Sequence, residues 1–114
     1  MVEKAIAYEG HYAHRVTRNG RPLDPRPSLR IMRHSPTGFS WGYHGSGPAQ
    51  LALALLYDVT HDVRLAVRYH QRFKGEFVAG WPINGSWSLA AQTIRDWVKE
   101  RLLRDPDAPL EEAV

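Results

Sequence analysis

The chain reads as an α+β domain, a small antiparallel sheet of three to four strands packed against three helices. Short apolar-alternating segments separated by turn signals occupy residues 5–43. Longer segments with apolar residues at three-and-four spacing occupy residues 49–104. Strands first and helices second, with no internal repeat, favours α+β over a doubly wound sheet.

Taken in order, Ala5-Ile-Ala-Tyr8 and Tyr12-Ala-His-Arg-Val16 form two strands around Glu9-Gly10-His11. Asn19-Gly20 is a tight turn, because a type I′ turn needs positive φ at both central positions. Pro22, Pro25 and Pro27 make a stiff extended connection with few backbone donors. Leu29-Arg-Ile-Met32 is the third strand. Ser35-Pro-Thr-Gly38 has turn chemistry. Phe39-Ser-Trp-Gly-Tyr43 then places three aromatics at alternate positions, on one face of a fourth strand.

The run from His34 to Leu56 contains no charged residue apart from its histidines, and it carries four glycines. Gly45-Ser46-Gly47 leaves the strand, and Pro48 suits the first helical position, where a missing N–H costs nothing. Gly47 or Ser46 is then the N-cap, with Gln50 reaching back toward free amides. Ala49–Tyr57 is apolar on nearly all sides and should be the buried central helix, ended by Asp58 and Thr60. A second helix over about 61–78 turns Val63, Ala66, Val67, His70, Phe73 and Phe77 inward. Gly80-Trp-Pro82 stops it, Ile83–Trp87 is a turn with room for a short strand on either side, and Ser88 caps a third helix with Ile94, Trp97, Val98 and Leu102 as its buried stripe. Residues 1–104 form the single domain, and 105–114 an acidic, proline-broken flexible tail.

At 114 residues, 43% hydrophobic and 24% charged, the chain suits one globular core without a membrane helix. Its opening residues do not read as a signal peptide, and the absence of cysteine excludes disulfides and thiolate chemistry, so the expected compartment is the cytoplasm. The net charge of +3 is uneven. Residues 1–44 hold seven basic and three acidic side chains, against eight and nine in residues 45–114. Twelve of the fifteen basic residues are Arg, the side chain suited to bidentate oxyanion contacts.

His34-Ser-Pro-Thr-Gly-Phe-Ser-Trp-Gly-Tyr43 followed by Gly45-Ser-Gly-Pro-Ala-Gln-Leu-Ala-Leu-Ala-Leu-Leu56 resembles the signature of a family of small bacterial and phage proteins, a domain of unknown function. Tyr8-Glu-Gly10, Gln71-Arg-Phe-Lys74, Ala79-Gly-Trp-Pro82 and Trp87-Ser-Leu89 leading to Ile94 and Trp97 extend the likeness over roughly residues 8–98. Ala90 departs from the hydroxyl residue expected to cap the last helix, which leaves Ser88 as the substitute. The resemblance implies a cytoplasmic protein, sometimes carried on mobile elements, and no catalytic residues.

Two groups of residues are candidate sites. His44, Gly45, Ser46, Gly47 and Gln50 surround a helix N-terminus, where unpaired amides and a partial positive charge receive anions. No P-loop or dinucleotide pattern accompanies them, and the plainer reading is that the glycines allow a tight turn and close packing. Arg64, Arg68 and Arg72 recur every four residues as a basic stripe, which with Arg15 and Arg18 suits nucleic acid; the plainer reading is a solvated helix face. His11 with His14, and His61 with His70, lack same-face ligand spacing, and His34 with His44 reads as a structural pair across the turn, so no metal is expected. Ser46, His44 and Asp58 supply triad residue types at an unsuitable spacing, so no residue is assigned catalysis and no cofactor is expected.

The functional expectation is a small non-enzymatic binding or regulatory protein with an anionic partner, nucleic acid being its first specific form. A protein-interaction or antagonist module, homodimeric or using exposed Trp81 and Trp87, is the alternative. A small hydrolase-like enzyme stands third.

Overall fold

A computed structural model describes residues 5–105. Expectations for the tail beyond Asp105 fall outside these residues. Among these residues the architecture is α+β, with four α-helices and a four-stranded antiparallel sheet whose strands lie in the order β3 (Arg21–Pro22), β2 (Arg15–Arg18), β1 (Ala7–His11), β4 (Trp87–Ala90).

The sheet grows from β1, Ala7–His11, whose Tyr8 and Gly10 are buried while Glu9 between them is exposed. β1 pairs with β2, Arg15–Arg18, through a three-residue turn at Tyr12–His14, so the reversal comes three residues later than the sequence suggests. Two non-glycine residues of that turn, Ala13 and His14, have φ of 65° and 58°. Asn19 and Gly20 take φ of 50° and 83°, as the type I′ turn requires, and lead into β3, Arg21–Pro22. Asn19 also bonds β1, its side-chain oxygen accepting from the Ala7 amide at 2.8 Å.

Two expected strands are absent. Leu29–Met32 belongs largely to a short helix, α1, Arg26–Ile31. Pro25 and Pro27 start it, since a fixed φ and a missing N–H are harmless in a first turn, and the Asp24 carboxylate accepts from the Arg26 amide at 2.9 Å. Phe39–Tyr43 is irregular. Gly42, at φ 90°, carries the chain so close to Ile83 that a Cβ there would stand 2.5 Å from the Ile83 Cα. The three aromatics therefore part company: Trp41 is buried, Phe39 half-buried and Tyr43 exposed.

The fourth strand, β4, is Trp87–Ala90, which joins the free edge of β1. Gly10 makes this pairing workable, because a Cβ on it would lie 2.0 Å from the Trp87 indole nitrogen. Ser88 sits inside the strand opposite Glu9, so it does not cap the following helix, α4, Ala91–Arg104. Ala90 occupies the cap position without a side-chain bond, and the Ile6 carbonyl accepts from the Ala91 amide at 2.8 Å.

The central helix α2, Ser46–Thr60, is buried continuously from Gly47 to Leu56. It begins two residues before Pro48, with Gly45 as N-cap, and ends in a left-handed His61 whose N–H donates to the Tyr57 carbonyl at 2.8 Å. Burying Leu51, Leu53, Leu55 and Leu56 contributes roughly 1.5–3 kcal/mol each relative to exposure. Next comes α3, Val63–Glu76, capped by the Asp62 carboxylate accepting from the Leu65 amide at 3.0 Å. Its buried face is Leu65, Ala66, Tyr69, His70 and Phe73, so Val63 is 47% exposed rather than inward.

Among the described residues this core also holds buried polar side chains, Gln50, Ser28 and His70 among them. Gln50, 0% exposed, accepts from the His34 and Ser35 amides at 2.7 and 3.0 Å. Its amide nitrogen donates to Ser28 Oγ at 3.0 Å and to the Met32 carbonyl at 3.1 Å. A Gln50→Leu variant removes all four bonds: Ser28 Oγ keeps its bond to the Pro25 carbonyl, while the half-buried His34 and Ser35 amides and the Met32 carbonyl lose this partner. Its unfolding free energy in urea is expected to fall by roughly 2–4 kcal/mol; a change within experimental error would mean that the network does not hold the fold.

Candidate anion-binding cleft

The two sequence-derived sites fare differently. At the start of α2, Ser46 and Gly47 line an open concavity of about 520 Å³ together with Ser35, Thr37, Ser40 and Tyr43. Gly47 is buried beneath Ser40, whose Oγ would lie 1.8 Å from a Cβ at that position, and Ser40 Oγ and Tyr43 Oη are 2.7 Å apart. The Tyr43 ring likewise covers Gly45, with 2.5 Å between a notional Cβ and its Cε2. Both glycines thus serve close packing. His44 is exposed, and Gln50 is committed to the network around α1, so the five residues do not form one site. Asp58 lies three turns along α2 from Ser46, bonded to Tyr8 and Arg18, and these residues do not assemble a triad.

His34 meets His70 rather than His44. Their Nε2 atoms are 2.9 Å apart, and His70 Nδ1 is 2.7 Å from the Val67 carbonyl. A carbonyl only accepts, so His70 carries its proton on Nδ1, and His34 Nε2–H donates to the bare His70 Nε2. A proton added to His70 Nε2 would oblige His34 to shift its own proton to Nδ1 and accept instead of donate. Burial, the main cause, lowers the proton affinity of His70, and the neighbouring His34 and Lys74 act in the same direction. Among the described residues no group of three or more potential ligands is arranged to hold a metal ion.

The arginine stripe gains partners. Arg68 of α3 reaches Asp105, just beyond α4, and Glu76 of α3 accepts from the Trp97 indole of α4 at 2.9 Å, so the two helices run antiparallel. Between them lies a cleft of about 380 Å³ lined by Tyr69, Arg72, Arg101, Arg104 and Asp105. Arg72 pairs through Nε with Glu76 at 3.2 Å, and Arg104 through Nε with Glu100 at 2.6 Å. Both pairs are solvent-exposed i,i+4 contacts, each worth only about 0.3–0.5 kcal/mol. Arg101 has no ion pair among the described residues; its guanidinium lies 5.8 Å from the Trp97 ring centre, and its Nε is buried without a hydrogen-bond partner. Burial, followed by the bond to Asp105, raises the Tyr69 hydroxyl pKa. Hydrogen bonding to Trp97, the largest cause, lowers that of Glu76.

Arg64 is exposed at the start of α3 and does not line the cleft. Arg15 is exposed on β2, while Arg18 is engaged by Asp58 at 2.9 Å, so the sheet arginines are not part of it. Sequence reasoning missed Arg101, Arg104 and Tyr69. The available signal was the four-residue step from Trp97 to Arg101, which continues the inner edge of α4. Trp81 and Trp87, expected at the surface, stack on each other with ring centres 4.0 Å apart, and Trp87 is buried.

The model of a family of unknown function (DUF6166) matches residues 8–100. No curated protein and no solved structure matches the chain. No described helix is long and apolar enough to cross a membrane.

The histidine pair makes a pH-dependent stability prediction. Since the folded state depresses the proton affinity of His70, the unfolded chain binds more protons below the ordinary value of 6.5. The contribution is present above that value and is lost as pH falls toward the lower folded value. Urea unfolding between pH 7.5 and 5.5 should show declining stability in the wild type and a flatter profile in His70→Gln.

Proposed function

The chain belongs to this family of unknown function, and we propose that it is a small cytoplasmic, non-enzymatic protein that binds an anionic partner along the α3–α4 face, nucleic acid being the first form of that partner. The cleft shared by Arg72, Arg101 and Arg104 carries the reading. Three guanidiniums line one opening, and the carboxylates paired with two of them are exposed and readily exchanged for phosphate. Arg101, poised on Trp97 with an unpartnered Nε, is the cation with least internal use. Arg64 and Arg68 extend the same helix toward its N-terminus and would lengthen the contact for a polyanion. The helix α2 N-terminus supports this function less well, because Ser40 and Tyr43 already pack over it.

A protein-partner reading, including self-association, has one supporting observation on another face. Tyr12, 88% exposed, and Ile83, 48% exposed, flank a cleft of about 270 Å³ above Trp41. Such a partner would bury these side chains, and Tyr12→Ser would weaken it. Sedimentation equilibrium of the two proteins tests the homodimeric form: a dimer lost in the variant supports it, and a monomer at all concentrations removes it.

The nucleic-acid form is tested by fluorescence anisotropy with labelled single-stranded DNA at several salt concentrations. Three phosphate contacts predict a slope of log affinity against log salt of roughly −2. The combined Arg72→Ala, Arg101→Ala, Arg104→Ala variant should bind at least about tenfold more weakly and lose most of that slope. Absence of salt-sensitive binding in the wild type at low ionic strength would remove this form.

A further inference from the structure

We propose that the α3–α4 cleft is an oxyanion site already occupied by an internal anion, the Asp105 carboxylate, and that a phosphate group binds by displacing it. The inference rests on the anion-binding reading above and adds both the ligand chemistry and the means of its control. Asp105 Oδ2 accepts from Arg68 Nε at 3.2 Å, from Arg68 Nη2 at 2.9 Å and from the Tyr69 hydroxyl at 2.9 Å. Three donors from α3 thus converge on a single oxygen, the arrangement an anionic ligand would meet.

Local electrostatics does not put Asp105 there. It is the C-cap of α4, where a negative charge faces the negative end of the helix dipole. Arg68 and Tyr69 of the neighbouring helix counter that repulsion. The pair is also accessible to exchange, with the Arg68 and Asp105 side chains 37% and 29% exposed.

The rest of the cleft offers more than one carboxylate uses. Arg72, Arg101 and Arg104 line the same space, and Arg101 Nε is buried with no partner. A phosphate carries several oxygens in a tetrahedral array. One can replace Asp105 Oδ2 between Arg68 and Tyr69 while another turns toward Arg72 or Arg101, giving charge-assisted bonds that the planar carboxylate leaves unmade. Both an isolated phosphate and a phosphate of a nucleic acid strand present this chemistry.

An internal occupant lowers apparent affinity by the fraction of molecules in which the cleft is open, so occupancy of nine-tenths corresponds to about tenfold. Asp105→Asn empties the site of charge at the end of α4. Asp96→Asn, on the exposed side of α4, removes the same charge without touching the cleft. Binding is measured with fluorescein-labelled dT20 by anisotropy and with inorganic phosphate by isothermal titration calorimetry. Asp105→Asn should tighten dT20 binding by about tenfold, Asp96→Asn by less than about twofold, and adding Arg68→Ala to Asp105→Asn should abolish the gain. A matching gain with inorganic phosphate supports recognition of phosphate on its own, while a gain confined to dT20 supports phosphate within a strand. Equal effects of Asp105→Asn and Asp96→Asn would overturn the displacement and leave the anion-binding reading standing. No binding of either probe by wild type or Asp105→Asn would overturn both.

Discussion

The fold is organised around one buried amide. Gln50 interrupts an otherwise oily stretch of α2, and its side chain satisfies donors and acceptors from three places: Ser28 inside α1, Met32 at the end of α1, and the His34 and Ser35 amides beyond it. Buried backbone polar groups are costly without partners, and the segment after α1 has no sheet neighbour to provide them. A single Gln with two donors and a carbonyl oxygen replaces that ladder. With its backbone held this way, the His34 ring reaches His70 on α3, so one contact set links α1, α2 and α3.

The same economy governs charge. Within α2 the interior from Gly47 to Leu56 holds none, and ionic groups are displaced to the helix ends and to the outer helices. At the far end of α2, Asp58 is shared by Tyr8 and Arg18, which ties the sheet to the helix and uses up a cation of the strand half. Burial, and then Asp58, raises the Tyr8 pKa, so that hydroxyl stays protonated as the donor of the bond. The α3–α4 face is different. Its arginines lie on helices joined by long side chains, and exposed carboxylates meet only some of them. The Arg101 guanidinium lies 5.8 Å from the Trp97 ring centre, while Trp97 itself is wedged against Phe73, Phe77 and Tyr69. The aromatic cluster therefore gives the cationic face a firm backing.

How far residues alone could lead differed from element to element. The long helices were legible because three-and-four spacing is a local property, and the continuous apolar run of α2 identified it as central. Asn19-Gly20 was legible because few dipeptides adopt two successive left-handed conformations. The strands were legible only in part: the expected segments 5–8 and 12–16 overlap β1 and β2. Leu29–Met32 and Phe39–Tyr43 alternate as strands do, but alternation says nothing about a partner to pair with. The first was taken up by a proline-started helical turn and the second by close approach to Ile83. Trp87–Ala90 was legible only as a short strand flanking the Ile83–Trp87 turn, and its pairing was set by the edge of β1, where Gly10 leaves room for an indole.

The candidate site divides along the same line. The stripe of Arg68 and Arg72 was visible in the chain, since residues four apart share a helix face. Its partnership with Arg101, Arg104, Tyr69 and Asp105 was not, because those contacts cross from one helix to another. Sequence by itself determined the α+β class, the buried helix, the absence of thiol chemistry and the arginine-rich character, all of which follow from composition and short-range periodicity. Only the tertiary structure decided which strands pair, that His34 meets His70, and which arginines share a cleft. These depend on distances between residues far apart in the chain, and no local pattern encodes them.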